Sequence, residues 1–256
     1  MWQNRRRILR LAIYENKAKV SGMVFSRAWN ILNPVLQILV YWIVFDVGLK
    51  TGARGNIPYV IWLTVGLLPW MAINQAMTSS ANAVFHDAST IKNIAIPLSV
   101  IPIKSVVGAW LEHFYSLIVI FAVLVLGRIP FSWHMLEVVY YYAAGFCFLA
   151  AFSLITSSIA VVFKDFQRIL QSIIRLLFYL SNVVWQPSAD SGKLTMLLKL
   201  NPLSYLIDGY RNCLVYQTGL WENVPQLCYF WAVTLVLFLL GAALHMKLRD
   251  GFIDMI

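Results

Sequence analysis

Residues 100–126 read VIPIKSVVGAWLEHFYSLIVIFAVLVL, and their last ten positions, Leu117 to Leu126, are apolar without a break. As a helix rising about 1.5 Å per residue, this stretch exceeds the roughly 30 Å of a bilayer's hydrocarbon core. Five similar stretches flank it. The first runs Ile31 to Leu49, the second Tyr59 to Met77, the fourth Val138 to Phe163, the fifth Ile169 to Trp185 and the sixth Leu227 to Met246. Hydrophobic residues make up 60 % of the chain and charged residues 12 %. Soluble domains hold about 45–50 % apolar and about 25 % charged residues. The expected fold is an all-α integral membrane protein, with residues 31–256 forming one domain of six transmembrane helices.

Residues 1–30 read differently. Between Arg5 and Asn30, Ile8, Leu11, Ala12, Val20, Val24 and Phe25 approximate one helical face among basic residues. This predicts an amphipathic interface helix on the membrane surface; the alternative is a basic segment that only sets orientation. Glu15, Lys17, Lys19 and Arg27 interrupt the place a signal peptide needs for its apolar run, so cleavage is not expected. Before the sixth span, Gln186 to Gln226 carries Pro187, Gly192, Pro202, Gly209 and Gly219 and reads as short helices dipping into the outer leaflet. Fourteen Lys and Arg fall on the side of the amino terminus and six on the other. The positive-inside rule then places both termini in the cytoplasm. Cys147, Cys213 and Cys228 have no metal-ligand spacing, and free or membrane-packed thiols are expected.

Three of the spans are not uniformly apolar. Asn30, Asn33, Gln37 and Tyr41 share one face of the first, and Gln171, Arg175, Asn182 and Gln186 share one face of the fifth, with Phe178 between them. Lys104, Ser105, Glu112 and Ser116 cluster on the third. An Arg or Asp at the bilayer centre costs about 2.5–3.5 kcal/mol on insertion scales. Such stripes therefore face one another or water, either as helix–helix glue or as a hydrated path. Glu112 and Arg175 lie at similar depth with opposite charge and are expected to share a polar cluster. Tyr41, Phe45, Phe178 and Trp185 lie near the stripes and are candidates to line a path. Aromatic side chains elsewhere read as an interfacial belt by default, with sugar stacking as the alternative.

No G-x-x-x-x-G-K-[ST] occurs, since Gly192-Lys193 lacks the upstream glycine, and no H-E-x-x-H, G-x-S-x-G or C-x-x-C occurs. No catalytic residue, metal site or bound cofactor is expected on this chain. Energy for any transport comes from elsewhere. The runs Phe85 to Asn93 and Phe163 to Arg168 mix apolar and charged residues on the cytoplasmic side, as docking segments or as plain solvated loops.

Leu32-Asn33-Pro34, Asn201-Pro202-Leu203-Ser204-Tyr205, Gly209-Tyr210-Arg211, Phe152-Ser153-Leu154-Ile155-Thr156-Ser157, Lys164-Asp165 and Leu248-Arg249-Asp250 occur in that set over nearly the whole chain. Together they resemble type-2 ABC exporter permeases, most closely those of wall teichoic acid export, relatives of the O-antigen polysaccharide exporters. The resemblance implies a homodimer in a bacterial plasma membrane, bound to two separate subunits that hold ATP and Mg. It implies extrusion of a polymer carried on undecaprenyl diphosphate. It makes Phe85, His86, Asp87 and Lys92 part of a coupling helix, with Lys164 and Asp165 in a second cytoplasmic contact. It makes the first and fifth spans the walls of a lateral gate, in agreement with the path or gate residues read from the polar stripes: Asn33, Gln37, Tyr41, Phe45, Glu112, Gln171, Arg175, Phe178, Asn182 and Trp185. An O-antigen or capsular polysaccharide exporter, or a drug or lipid exporter, is the alternative of the same type; a membrane-embedded enzyme centred on Glu112-His113 is the alternative of another. One departure stands out: the family often has Ser-Pro midway along the fifth span, and this chain has Ser181-Asn182.

Overall fold

The computed structural model describes residues 10–11, 13–14, 26–50, 57–87, 99–163, 165–186 and 192–248. Most of the expected amphipathic start, together with Lys92 and Lys164, lies outside these residues. Every regular element among them is helical. Helix α1 spans Ser26–Trp42 and continues as a π-helical turn, Ile43–Gly48. Helix α2 spans Tyr59–His86, α3 Val100–Leu126, and α4 Val138–Val162 after a 3-10 turn at Trp133–Glu137. Helix α5 spans Phe166–Leu180 and α6 Gly192–Leu200. Helix α7 spans Pro202–Arg211 and runs into a π-helical Asn212–Tyr216, and α8 spans Val224–Leu248 after a 3-10 turn at Leu220–Asn223.

Four of these units are long and apolar enough to cross a membrane: Tyr59–His86, Val100–Leu126, Trp133–Val162 and Leu220–Leu248. The apolar part of the first span, Leu32–Gly48, is shorter. The fifth span was expected to reach Trp185, but α5 stops at Leu180 after 15 residues, about 22 Å of helix. The second was expected to end at Met77, whereas α2 continues to His86. Its polar residues Asn74, Gln75, Thr78 and Ser79 mark the end of the apolar stretch and not of the helix.

Helix α2 is the axis of the molecule. Ile61 to Trp70 are all buried, as a helix apolar on every side must be when it sits among others. It packs on α1, α3, α4, α5 and α7. Pro69 lies within it and Pro34 within α1, both buried. Each deprives the helix of one amide donor, and the surrounding helices hold the backbone in place. Helices α4 and α8 approach closely through small residues, as in other membrane interfaces. A Cβ on Gly241 would lie 3.0 Å from Leu154 Cβ and 3.1 Å from the Ala151 carbonyl. Ser158 Oγ meets His245 Nδ1 across the same seam at 3.2 Å. Leu235, Val236, Leu239 and Leu240 cover the outward side of α8 and are exposed in the isolated chain, as a lipid-facing surface would be. Cys147, Cys213 and Cys228 are free thiols.

Candidate functional site

Four side chains gather the carbonyls at the end of α5 and in the turn just beyond it. The last carbonyls of any helix have no partner within it, and in hydrocarbon water cannot supply one. Here Asn201 Nδ2 donates to the Leu180 carbonyl at 3.0 Å and Ser204 Oγ donates to the same oxygen at 3.1 Å. Arg211 Nη1 donates to the Asn182 carbonyl at 2.5 Å and Nη2 to the Val183 carbonyl at 2.7 Å. Tyr59 Oη donates to the Val184 carbonyl at 2.7 Å. The chain turns there because Asn182 takes a φ of 55°, a left-handed conformation that asparagine tolerates better than most residues.

The same residues build α7. Asn201 Oδ1 accepts from the Leu203 amide at 3.0 Å, and Pro202 occupies the first helical position. An Asn cap followed by Pro is a favoured helix start. Arg211, at the other end of α7, is only 2 % exposed. Its guanidinium carbon sits 3.4 Å from the centroid of the Trp62 ring, a cation–π contact, and its Nε donates to the Trp62 carbonyl at 3.3 Å. Gly66 makes room for it: a Cβ there would fall 2.1 Å from Nη2. Arg211 therefore ties α2, the end of α5 and α7 to one point.

Beside α2, rings from α1 and α5 meet. Tyr41 and Phe178 have centroids 5.6 Å apart, and Tyr41 and Phe45 6.3 Å apart. Phe178 also meets Trp70 at 5.7 Å, and Phe45 meets Tyr59 at 6.4 Å. Between α1, α2 and α3, a cavity of about 100 Å³ is bordered by Asn33, Gln75, Glu112, His113 and Ser116. Gln75 Nε2 donates to Glu112 Oε2. His113 is buried, with Nε2 at 3.0 Å from Tyr210 Oη and its ring stacked on Tyr142 at 5.6 Å.

The expected cluster of Glu112 with Arg175 does not form. Glu112 turns to Gln75 on α2, while Arg175 stands exposed on α5 and donates to Ser172 Oγ at 3.2 Å. The helical spacing that put Asn182 on one face with Gln171 and Arg175 fails because the helix has ended before it. Asn182 instead donates to Asp208 Oδ2 at 3.2 Å. Gln171 is exposed, Asn33 is exposed, and Gln37 is half-buried. Trp185 folds back, and its Nε1 donates to the Tyr179 carbonyl at 2.8 Å. The π-helical turn after Trp42 carries Asp46, whose Oδ2 accepts from Trp42 Nε1 at 2.8 Å.

Phe85 and His86 close α2, with His86 exposed and Phe85 half-buried. Asp87 is buried against Lys104 Nζ, and His86 Nδ1 lies 3.2 Å from Asp87 Oδ1. Asp165 is exposed and pairs with Arg168 at 3.5 Å. Sequence reasoning missed Gln75, Asp208 and the role of Arg211. The last was counted among the outer basic residues, although the Gly209-Tyr210-Arg211 motif singled it out.

A cavity of about 220 Å³ opens between the end of α5, α6, α7 and the start of α8. A second, of about 210 Å³, adjoins it and shares Asp208. The described chain thus carries a ring-lined seam between α1 and α5, a pinned turn beyond it, and polar cavities on both sides of the seam.

A family model described as "ABC-2 type transporter" matches residues 7–215. Three curated relatives align along nearly the whole chain, each described as "O-antigen export system permease protein RfbA". One, from Myxococcus xanthus, is 27 % identical over 260 residues, covering 100 % of this chain and 97 % of the relative. Two come from Klebsiella pneumoniae. They are 28 % and 26 % identical over 244 and 243 residues, each covering 94 % of this chain and 91 % of the relative.

Proposed function

The chain belongs to the ABC-2 type transporter family, and from that membership we propose that it passes a lipid-linked polysaccharide from the cytoplasmic to the outer face of a bacterial plasma membrane. It is a multi-pass permease subunit of a type-2 exporter, homologous to O-antigen export permeases, and such permeases work with ATP-binding subunits. In this reading two copies of the chain pair and two ATP-binding subunits hold ATP and Mg. The cargo is an O-antigen-type polysaccharide on an undecaprenyl diphosphate carrier, and both termini are cytoplasmic.

The observation that carries the cargo is the full-length similarity to three O-antigen export permeases. A teichoic acid cargo rests on the order of the sequence motifs and is the second reading. A small apolar drug is disfavoured by the larger cavity, where Asn182, Gln186, Asp208 and Asn223 present amides and a carboxylate.

The polar face of α5 supports a hydrated path. Arg175 and Gln171 are exposed in the isolated chain, and exposure to lipid would cost an arginine several kcal/mol. That face therefore borders water or the second copy. The Tyr41–Phe178 contact closes the seam between α1 and α5, and its separation admits the carrier lipid. The segment beginning at Phe85 transmits movement of the ATP-binding subunit to α2, and α2 moves the Arg211 point directly. Reconstitution with the ATP-binding subunit tests the reading. Lipid-linked O-antigen should stimulate ATP hydrolysis several-fold, and lipid-linked teichoic acid should not. Equal or greater stimulation by teichoic acid would replace the first cargo with the second.

A further inference from the structure

We infer that the cavity between α1, α2 and α3 holds the primary ammonium of a membrane lipid, an ethanolamine headgroup, against the carboxylate of Glu112. The occupant comes from the surrounding bilayer, so the site stands whichever polymer the permease passes.

Three helices meet there at one level. Trp29 and Asn33 come from α1, Ala72 and Gln75 from α2, and Glu112 and Ser116 from α3. Each pair is three or four residues apart and so shares a helix face. Each helix also changes character at the cavity. Asn33 stands at the start of the apolar part of the first span, Leu32–Gly48. Helix α2 turns polar at Asn74 and Gln75, and the unbroken apolar run of α3 begins at Leu117, just past Ser116. The cavity therefore lies at the boundary between hydrocarbon and headgroups, a level that an indole such as Trp29 favours. Trp29, Asn33 and Gln75 are exposed, and so is the hydrogen bond from Gln75 Nε2 to Glu112 Oε2. The carboxylate can be reached from outside the chain.

Glu112 lacks a counter-charge. Among the described residues its polar partner is Gln75, and no lysine, arginine or histidine forms an ion pair with it. His113, next in sequence, has its Nε2 at 3.0 Å from Tyr210 Oη. A carboxylate at a lipid-facing surface is costly unless a cation or water meets it. A primary ammonium brings a positive charge and three N–H donors. Three acceptors border the cavity to receive them: the Glu112 carboxylate, the Ser116 hydroxyl and the Asn33 amide carbonyl. The Asn33 amide also has N–H donors to offer the phosphodiester beside the ammonium. At about 100 Å³ the cavity exceeds the ~30 Å³ that one water occupies in the liquid, which leaves room for an ammonium head. A choline head carries the same charge but no N–H, so it leaves those acceptors unserved. A glycerol head leaves the lipid anionic and meets Glu112 with no cation at all.

Native mass spectrometry on the full chain assembled with its ATP-binding subunit tests this. The complex in detergent is titrated separately with phosphatidylethanolamine, phosphatidylcholine and phosphatidylglycerol of identical acyl chains. Phosphatidylethanolamine should bind about tenfold more tightly than phosphatidylcholine, the size of one charge-assisted hydrogen bond, and phosphatidylglycerol should bind least. Glu112→Gln keeps the shape and the acceptor that Gln75 meets while removing the charge. It should bring phosphatidylethanolamine down to the level of phosphatidylcholine and leave phosphatidylcholine unchanged. Ser116→Ala should weaken phosphatidylethanolamine alone, by about threefold, and decides the matter if the glutamine variant fails to co-purify with its partner. Free ethanolamine at millimolar concentration should not displace the lipid; displacement would overturn a lipid as the occupant. Equal binding of the three lipids overturns the site, as would follow if water or a second copy of the chain met Glu112. A preference for phosphatidylethanolamine that persists in the variants that assemble overturns it too.

Discussion

Arg211 keeps its charge in a place with almost no water because its donors are directed at backbone carbonyls that would otherwise go unpaired. The planar fork of the guanidinium makes this possible, and lysine cannot copy it. Arg211→Lys should lower stability by about 3 kcal/mol, since hydrogen bonds to charged groups carry about 1.5–3 kcal/mol each; thermal unfolding in detergent reads this, and an unchanged midpoint would contradict it. Gly66→Ala is the reciprocal test. In an ordinary helix alanine gains up to about 1 kcal/mol over glycine, yet here its Cβ would fall 2.1 Å from Arg211. The midpoint should drop, and a rise would show that the guanidinium has room to move. Asp87 poses a different question, because the coupling role that resemblance gives it competes with its buried pairing to Lys104. Asp87→Ala removes the carboxylate that neutralises a buried ammonium and should cost about 3 kcal/mol. Adding Lys104→Met should restore most of that stability. If the double variant is stable yet uncoupled from ATP hydrolysis, Asp87 has a role beyond the pair; if coupling returns with stability, it has none.

The end of α5 shows what sequence periodicity reads and what it overlooks. Apolar residues resume at Val183 after Ser181-Asn182, so a span to Trp185 is the natural reading, and the polar stripe extends with it to Asn182. Side chains far away in sequence hold the end of the helix and the turn that follows: Asn201 and Ser204 donate to the Leu180 carbonyl, Arg211 to those of Asn182 and Val183, and Tyr59 to that of Val184. No local pattern within residues 169–185 reports those partners. Helix α3, by contrast, matches its expected bounds of Val100 and Leu126, since its apolar run and its ends are both local. The departure from Ser-Pro at Ser181-Asn182 now has a physical basis. Proline fixes φ near −65°, and Asn182 needs 55°. Asn182→Pro should therefore destabilise the fold by several kcal/mol where Asn182→Gly is tolerated; equal unfolding midpoints would show that the left-handed turn is dispensable. Asn201→Ala removes the α7 cap and one tie to Leu180 together, and a loss of about 1–2 kcal/mol is expected, read again by thermal unfolding.

For the whole molecule, composition and six apolar stretches made the membrane class legible, and the absence of a phosphate loop pointed to a separate source of energy. The described helices place Tyr41 of α1 against Phe178 of α5, a contact that the spacing of the polar stripes did not specify. Glu112 and Arg175 were matched on charge and depth alone, and depth says nothing of which way a side chain turns around its helix. Cargo was the least legible property. The two larger polar cavities are bordered largely by the short helices before α8, whose packing is non-local, and the sequence motifs pointed to a teichoic acid where the full-length relatives are O-antigen export permeases. The most direct test is ATP-driven extrusion in sealed vesicles carrying this chain and its ATP-binding subunit. Lipid-linked O-antigen loaded on the ATP side should become accessible on the far side only while ATP is hydrolysed. Continued ATP hydrolysis with no polymer crossing would contradict the account.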